Sequence, residues 1–382
     1  MKLKTLPIFL VFFIMGFGDA VGTLVGFVTK EFNLSPGVAG LLPFFGFVAF
    51  GLFSVPFGVL ADKKGQKFVL VSFLALVLLG ELVPVVSIAR YEYVLVAIFF
   101  IGVGITALQV VGNPMMRTVS APGMFSRNLS FAQFIKSIGS NAAPYILPLV
   151  VALALPWQNI FLTFALVVGL TLVAVLFLNV ETPPEQATAQ RASIGSSFSL
   201  LKNPFVLSMV LGIFFYVGAE VGLNSWIAHH LETKFGLDLE HATLGIGVFM
   251  TMLAVGRLLG SIILTYLSPR KFFLVSSLLG VVGIATMFAP DQLTVFIGIG
   301  LAGLAFANIF PLIFSILIDA IPERSNELSG LLVMAIVGGA VVPALMGLVA
   351  NQSSDLSFAI PLLIFVYISV LALRGARKPA AV

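Results

Sequence analysis

Seven ionisable or amide side chains interrupt the apolar stretches of this 382-residue sequence. They are Asp19, Glu81, Gln109, Gln133, Lys136, Glu220 and Arg257. An aspartate left without a partner in hydrocarbon costs about 2.5–3.5 kcal/mol on insertion scales. A chain that keeps such groups inside apolar segments is therefore expected to use them, as a ligand site, an ion path or an ion pair.

Several of the polar residues share a face of a predicted helix, because residues three or four apart are neighbours on its surface. The pairs are Gln109–Asn113, Gln133–Lys136 and Glu220–Asn224. An aromatic side chain, Trp226, follows the last pair. This arrangement indicates either contact with a polar ligand or hydrogen bonds between helices, which are worth about 0.6 kcal/mol each.

Composition places the chain in a lipid bilayer. Hydrophobic residues make up 59% of it, charged residues 9%, and its mean hydropathy is +1.13, whereas a soluble domain carries about 25% charge. The sequence has no cysteine and no HExxH, GxSxG or Walker A motif. It therefore predicts neither an enzyme, nor ATP hydrolysis as an energy source, nor a resident cofactor or metal.

A helix needs about 20 apolar residues to cross the hydrocarbon core. Loops placed at Pro, Gly and charge clusters leave twelve predicted spans. The spans are 6–29, 37–60, 67–89, 91–119, 126–153, 157–179, 204–231, 240–267, 270–289, 291–321, 326–350 and 356–375. Fifteen Lys and Arg residues fall on one side and three on the other, so the positive-inside rule predicts that both termini are cytoplasmic.

The chain also reads as two related halves. "FFIMGFGD" at Phe12 and "FFYVGAE" at Phe214 are 202 residues apart, and two prolines, Pro114 and Pro311, are 197 apart. We predict an N-terminal six-helix bundle over 1–180, a cytoplasmic linker over 181–203 and a C-terminal six-helix bundle over 204–382. Transporters with two such halves bind substrate near the bilayer midplane at the interface between the halves.

The loop after the second span, "GVLADKKGQK" (58–67), is the most specific short motif. It resembles the signature loop of the major facilitator superfamily, which latches the cytoplasmic face. The matching residues are Gly58, Asp62, Lys63, Gly65 and Lys67. Gly58 lets two helices approach closely and Gly65 permits a tight turn. The lysines also suit simple positive-inside anchoring.

Longer stretches resemble the fucose–galactose–glucose:H+ symporter family within that superfamily. They include "LQVVGNPMM" (108–116), "RNLSFAQFIKSIGSNAAP" (127–144) and "SGLLVMAIVGGAVVP" (329–343). The resemblance implies an all-α membrane protein of the bacterial inner membrane, with twelve transmembrane helices in two pseudo-symmetric bundles. It further implies a functional monomer that carries a hexose by alternating access, coupled to protons.

Sugar binding requires amides and carboxylates for the hydroxyl groups, and aromatic faces for the ring. By resemblance, Gln109 and Gln133 match positions that face the sugar, and Glu220 lies in the family's "YVGAEV" stretch. We expect Asn113, Lys136, Asn224 and Trp226 to complete the set. Asn113 also has a structural alternative, which is to satisfy backbone groups freed by Pro114.

Two departures from the family concern proton coupling. Where family members carry an Asn-Asp pair, this chain has Gly22 and Thr23, and its carboxylate Asp19 stands one turn earlier. We expect Asp19, with Glu220, to exchange the coupling proton. Lys136 replaces an uncharged residue. It is expected to pair with Asp19, either as a dynamic element or as a static structural pair, or else to bind an acidic sugar.

Arg257, in the eighth span, is expected to have a gating or structural role, by snorkelling to the cytoplasm or by pairing with Asp319. Three other functions stay open. The many Phe and Met residues are compatible with a drug or metabolite exporter. A sugar uniporter and a sugar-acid carrier would both lack proton coupling. The sugar, the coupling ion and the transport direction are not determined by the sequence.

Overall fold

The computed structural model describes residues 6–35, 38, 41–87, 90–178, 192–350 and 352–375, and this part of the chain is helical. Short 3-10 segments and turns join the helices. The helices are α1 (Leu6–Met15), α2 (Val21–Phe32), α3 (Leu41–Lys64), α4 (Gln66–Val86), α5 (Tyr91–Val119), α6 (Phe125–Ser140), α7 (Ala143–Ala152), α8 (Asn159–Leu176), α9 (Ile194–Ser199), α10 (Pro204–Phe235), α11 (Leu239–Ile263), α12 (Pro269–Thr286), α13 (Gln292–Phe306), α14 (Ile309–Ala320), α15 (Ser325–Met334), α16 (Gly338–Ala350), α17 (Ser354–Ser357) and α18 (Ala359–Gly375).

Long apolar runs form these helices because a backbone in hydrocarbon must satisfy its own hydrogen bonds. Among the described residues, ten stretches are long and apolar enough to cross a membrane, and Leu6–Gly18 is a shorter apolar helix. Large apolar side chains remain exposed on several of them, as at Leu170, which is 72% exposed. Such faces suit contact with lipid.

Four of the twelve predicted spans, the first, fifth, tenth and eleventh, are divided within the described residues. The first is interrupted by a 3-10 segment, Gly16–Ala20, and the fifth by a turn at Asn141 and Ala142. The amide of Asn141 donates to the Ser137 carbonyl at 2.8 Å, which occupies a helical acceptor. Pro144 follows in the first turn of α7, where its missing N–H is tolerated. These breaks explain why neither the first nor the fifth span is a continuous long helix.

The chain forms two compact units. The first comprises Met1–Pro122, Ile135–Ser199 and Pro322–Met334. In it, α5 packs against α3 and α4, while α15 packs against α3 and α5. The short helix α9, which ends the linker, contacts both α3 and α15.

The second unit comprises Gly123–Phe134, Leu200–Ile321 and Ala335–Val382. In it α10 packs against α11, α16 and α18, and α13 packs against α11 and α12. Residues 179–191, which include the first part of the predicted linker, lie outside the described residues. The predicted division into domains at 181–203 stays a prediction.

Candidate functional site

An ion pair lies inside the second unit, between α10 and α11. A guanidinium nitrogen of Arg257 is 3.5 Å from a carboxylate oxygen of Glu220. The hydroxyl of the buried Tyr216, one turn earlier on α10, donates to the other carboxylate oxygen. The side chains of Arg257 and Glu220 are only 12% and 23% exposed. Each charge therefore offsets the burial cost of the other, while part of the carboxylate stays accessible.

Asn224 lies one turn beyond Glu220 on α10. Its side-chain oxygen Oδ1 is buried without a hydrogen-bond partner among the described residues. A buried acceptor without a partner is costly, so the unpaired oxygen calls for an explanation. Trp226, also predicted to contact substrate, donates from its indole N–H to the Pro343 carbonyl at 3.0 Å. A Cβ atom at Gly347 would lie 2.7 Å from its ring, so the indole is packed against α16.

Gln109 and Asn113 are both buried in α5 of the first unit. The Asn113 amide donates to the Gln109 backbone carbonyl at 2.8 Å. Pro114 lacks an N–H and so cannot bond the Val110 carbonyl four residues earlier. Ser329 of α15 donates its hydroxyl to that carbonyl at 2.5 Å. The backbone acceptor freed by the proline is thus satisfied from another helix.

The predicted pair on α6 is partly described. Gln133 is buried and Lys136 is half-buried. Asp19 lies in the 3-10 segment Gly16–Ala20, and its side chain lies outside the described residues. The backbones of the two segments touch: a Cβ atom at Gly16 would clash with the Lys136 carbonyl, and one at Gly139 with the Phe13 carbonyl. Asp19 and Lys136 thus both stand three residues from a glycine of this crossing.

The signature loop turns as its sequence predicts. Gly65 has φ +87°, a conformation that favours glycine, and it connects α3 directly to α4. A Cβ atom at Gly58 would lie 2.5 Å from the Asn326 carbonyl, so this glycine admits α15 against α3. Lys63 is exposed, and Lys67 donates to the Leu176 carbonyl at the end of α8, at 2.9 Å. Asp62 accepts a hydrogen bond from the Asn326 amide at 2.6 Å.

A polar network extends from that loop through the first turn of α15. Gln66 donates to Asn326 at 2.7 Å. The next residue, Glu327, is buried and paired with Arg324, and it accepts from Ser196 and Ser197 of α9 at 2.6 and 3.1 Å. These contacts lie within the first unit and join the loop, α15 and the end of the linker.

The three histidines form no common site. His230 is buried and hydrogen-bonded to Ser354 at 3.1 Å, while His241 lies 2.7 Å from Asp238. Hydrogen bonds from the backbone N–H and side chain of His241 lower the pKa of Asp238, which caps α11. Within the described part of the chain, no group of three His, Cys, Asp or Glu residues could hold a metal ion.

Several residues of these hydrogen-bond networks were not predicted from the sequence. Tyr216 stands four residues before Glu220, a spacing that could have indicated the contact. Asn326 and Glu327 precede the "SGLLVM" stretch, but nothing in their spacing points to Asp62, 264 residues away from Asn326. Glu81, which the sequence singles out, is buried within α4, and one of its carboxylate oxygens has no hydrogen-bond partner in the described residues.

Apolar helices around buried polar networks, with the basic signature loop, define a membrane carrier rather than an enzyme. The family model of the Major Facilitator Superfamily matches residues 8–267 and 228–381, and the chain belongs to that superfamily. The predicted all-α fold is confirmed, and this fold implies the twelve transmembrane helices of which ten are recognised by length and composition.

Curated relatives cover nearly the whole chain. The chain is 26% identical over 383 residues to a glucose/galactose transporter of Brucella abortus, covering 97% of this chain and 93% of that protein. It is 24% identical over 382 residues to the L-fucose-proton symporter of Escherichia coli, covering 90% and 86%. The crystal structure of FucP in the outward conformation matches with a TM-score of 0.86, 21% identity and 99% coverage of both chains.

These findings confirm the predicted resemblance to the fucose, galactose and glucose symporters of the superfamily, and the prediction of a transporter. They place the chain in a membrane as an integral protein. The roles expected of individual side chains stay predictions.

Proposed function

We propose that this protein is a proton-coupled symporter that carries a hexose or a related sugar across the bacterial inner membrane by alternating access. It works as a monomer in the lipid bilayer, with both termini cytoplasmic. The names of its relatives support the sugar and the proton. No cofactor is required, because the proton gradient supplies the energy.

The observation that carries the proposal is the Glu220–Arg257 pair with Tyr216. A symporter needs a group that binds a proton from one side and releases it on the other, and whose charge affects a second event in the cycle. Protonation of Glu220 removes the charge that holds Arg257, so it separates the pair. The partial exposure of both side chains gives a proton and a ligand access to them.

Buried amides and the same carboxylate supply the sugar contacts. Gln109, Gln133 and Glu220 bind hydroxyl groups, and Asn224 contributes the unpartnered Oδ1 described above. A site built to hydrogen-bond hydroxyls discriminates strongly against analogues that lack them, because its buried polar groups are then left unpaired. Trp226 acts mainly by holding α10 against α16, since it donates to the Pro343 carbonyl, whereas Asn113 donates to a carbonyl of its own helix.

Asp19 and Lys136 form a second charged pair in this proposal. The contact of Gly16 with the Lys136 backbone supports it, because one helical turn is about 5.4 Å and both charged residues stand within a turn of the crossing. Neither group would be kept alone inside the membrane without a cost of about 2.5–3.5 kcal/mol. The pair therefore links the first and fifth spans through charge.

Uptake into proteoliposomes tests the function. A panel of radiolabelled hexoses, polyols and sugar acids is offered with and without an imposed pH gradient. We expect uptake of a neutral hexose that an inward proton gradient accelerates. Sugar uptake indifferent to the gradient would indicate a uniporter. Uptake of sugar acids alone would assign Lys136 to the substrate, and uptake of none of the panel would reject the sugar and favour an exporter.

A further inference from the structure

The tenth predicted span is broken beside the Glu220–Arg257 pair. Helix α13 ends at Phe306 and α14 begins at Ile309, with Ala307 and Asn308 between them. The backbone of Asn308, at φ −115° and ψ 2°, departs from helical geometry. The polar groups freed at a break in a membrane helix need other hydrogen-bond partners, since the hydrocarbon core has no water to supply them.

The side chain of Asn308 lies in a glycine-lined contact with α11. It is 1% exposed, and its amide nitrogen donates to the Gly256 carbonyl at 2.7 Å. A Cβ atom at Gly260, one turn along α11, would coincide with this amide group. The amide oxygen Oδ1 has no hydrogen-bond partner among the described residues. An acceptor left unsatisfied in such a position costs free energy, so it calls for an explanation.

This orphan acceptor lies against the turn of α11 that carries Arg257. Arg257 follows Gly256 directly, and at 3.6 residues per turn its side chain leaves α11 about 100° from Gly256 and about 60° from Gly260. The end of α13 contacts the other partner of Glu220, because the ring centroids of Phe306 and Tyr216 are 5.8 Å apart. The break therefore contacts Tyr216 on α10 and, on α11, the two glycines that flank Arg257.

We propose that Asn308 is a positioning residue whose Oδ1 accepts a hydrogen bond from Arg257 whenever Glu220 is protonated or bound by a sugar hydroxyl. The guanidinium of Arg257 then alternates during the cycle between two acceptors, the carboxylate of Glu220 and the amide oxygen of Asn308. The inference rests on the coupling role proposed for Glu220. It adds a destination for Arg257 and gives the break in the tenth span a function.

Few other charged groups bear on Glu220. Those that face it are Arg257 from α11 and Tyr216 from its own helix. Helix α16, packed against α10, has no titratable residue. The titratable residues of α14, α17 and α18, also packed against α10, are Asp319, Asp355, Tyr367 and Arg374. Asp355 pairs with Lys234 near the end of α10, and the others lie in the last three turns of their helices.

The test is an infrared titration of the purified full-length protein in lipid nanodiscs, without sugar. The carboxylic acid band of Glu220 is assigned by its loss in Glu220→Gln. Asn308→Ala removes the second acceptor and so destabilises the protonated state. We expect its titration midpoint to move by about one pH unit to more acid pH, a tenfold change in proton concentration. Asn308→Asp strengthens the acceptor, and the midpoint should move to more alkaline pH.

Two glycine variants test whether a packing defect alone causes the shift of the midpoint. Gly260→Ala displaces the Asn308 amide and should reproduce the acid shift of Asn308→Ala, even if the latter fails to fold. Gly300→Ala on α13 adds a Cβ atom 3.6 Å from Val248, an ordinary contact, and should leave the midpoint unchanged.

Midpoints that stay at the wild-type value, or that move in the same direction in Asn308→Ala and Asn308→Asp, overturn the proposal. A wild-type protein without a titrating Glu220 band overturns it too. Because no sugar is used, a protein that carries none of the sugar panel would count against the proposed function and leave this titration readable.

Discussion

Arg257 and Glu220, 37 residues apart in the sequence and on neighbouring helices, bring a guanidinium nitrogen within 3.5 Å of a carboxylate oxygen. Two charges so placed stabilise each other only as long as both are ionised. A proton or a sugar hydroxyl that engages Glu220 alters the partner as well. A change at Glu220 on α10 would therefore alter how Arg257 holds α11.

Replacement of Glu220 by glutamine should separate exchange from net transport. Glu220→Gln resembles the permanently protonated carboxyl, so it should still exchange internal for external sugar, but it should abolish accumulation driven by a pH gradient. Counterflow and gradient-driven uptake, measured on the same vesicles, check this. Glu240→Gln, at an exposed position at the start of α11, is the matched control and should behave as wild type. Accumulation retained by Glu220→Gln would show that this carboxylate does not carry the proton.

Energetic coupling between Glu220 and Arg257 should be measurable. Arg257→Gln leaves a buried carboxylate without its main partner, so it should destabilise the protein more than the double variant with Glu220→Gln does. We expect a coupling free energy of about 1–3 kcal/mol from unfolding in mixed micelles. The pair Lys234–Asp355, whose aspartate is 48% exposed, provides a control and should couple by at most about 1 kcal/mol. Additive effects at Glu220 and Arg257 would contradict the pairing.

The hydrogen bond from Asn326 to Asp62 should hold the N-terminal end of α15 against the C-terminal end of α3. Asn326→Ala removes the hydrogen bond to the charged Asp62 and leaves Gln66 without its acceptor. The population of the state in which this contact is open should rise about tenfold or more. The chain has no cysteine, so Met116→Cys, at a buried position of α5, reports opening through its labelling rate in inside-out vesicles. Lys64→Ala, at an exposed position of the same loop, should leave that rate unchanged. Equal labelling in Asn326→Ala and wild type would reject the latch.

Removing one charge of the Asp19–Lys136 pair should be more harmful than removing both. Lys136→Asn leaves Asp19 without its counter-charge, and uptake should fall about tenfold or more, since an unpaired carboxylate in the membrane costs about 2.5–3.5 kcal/mol. Asp19→Asn in the same protein should restore folding and sugar exchange. Expression level, exchange rate and sugar specificity of the two variants, compared with wild type, check this. Normal uptake and unchanged specificity in Lys136→Asn alone would reject a role for the pair.

Long, unbroken spans were predictable because hydropathy and loop charges determine them. The fourth span, predicted at 91–119, forms α5 over Tyr91–Val119. The turn at Gly65 followed from a glycine between two apolar runs and a basic cluster. Both rest on local properties of the chain that are visible in a short window of sequence.

The breaks and the polar networks were not predictable in the same way. At the divisions of α1 from α2 and of α13 from α14 the chain contacts the backbone of other helices, as Gly16 does at Lys136 and Asn308 at Gly256. Arg257 was expected to reach the cytoplasm or Asp319, but its bond to Glu220 depends on how α10 packs against α11. One sequence fixes neither the rotation nor the register of packed helices.

Proton movement that accompanies sugar entry is the direct readout of proton-coupled symport. Neutral hexose is added to de-energised vesicles containing the protein, and external pH is followed together with sugar uptake. The account predicts alkalinisation of the medium that follows sugar entry in the wild type and is absent in Glu220→Gln. Sugar entry in the wild type without any change in external pH would contradict it.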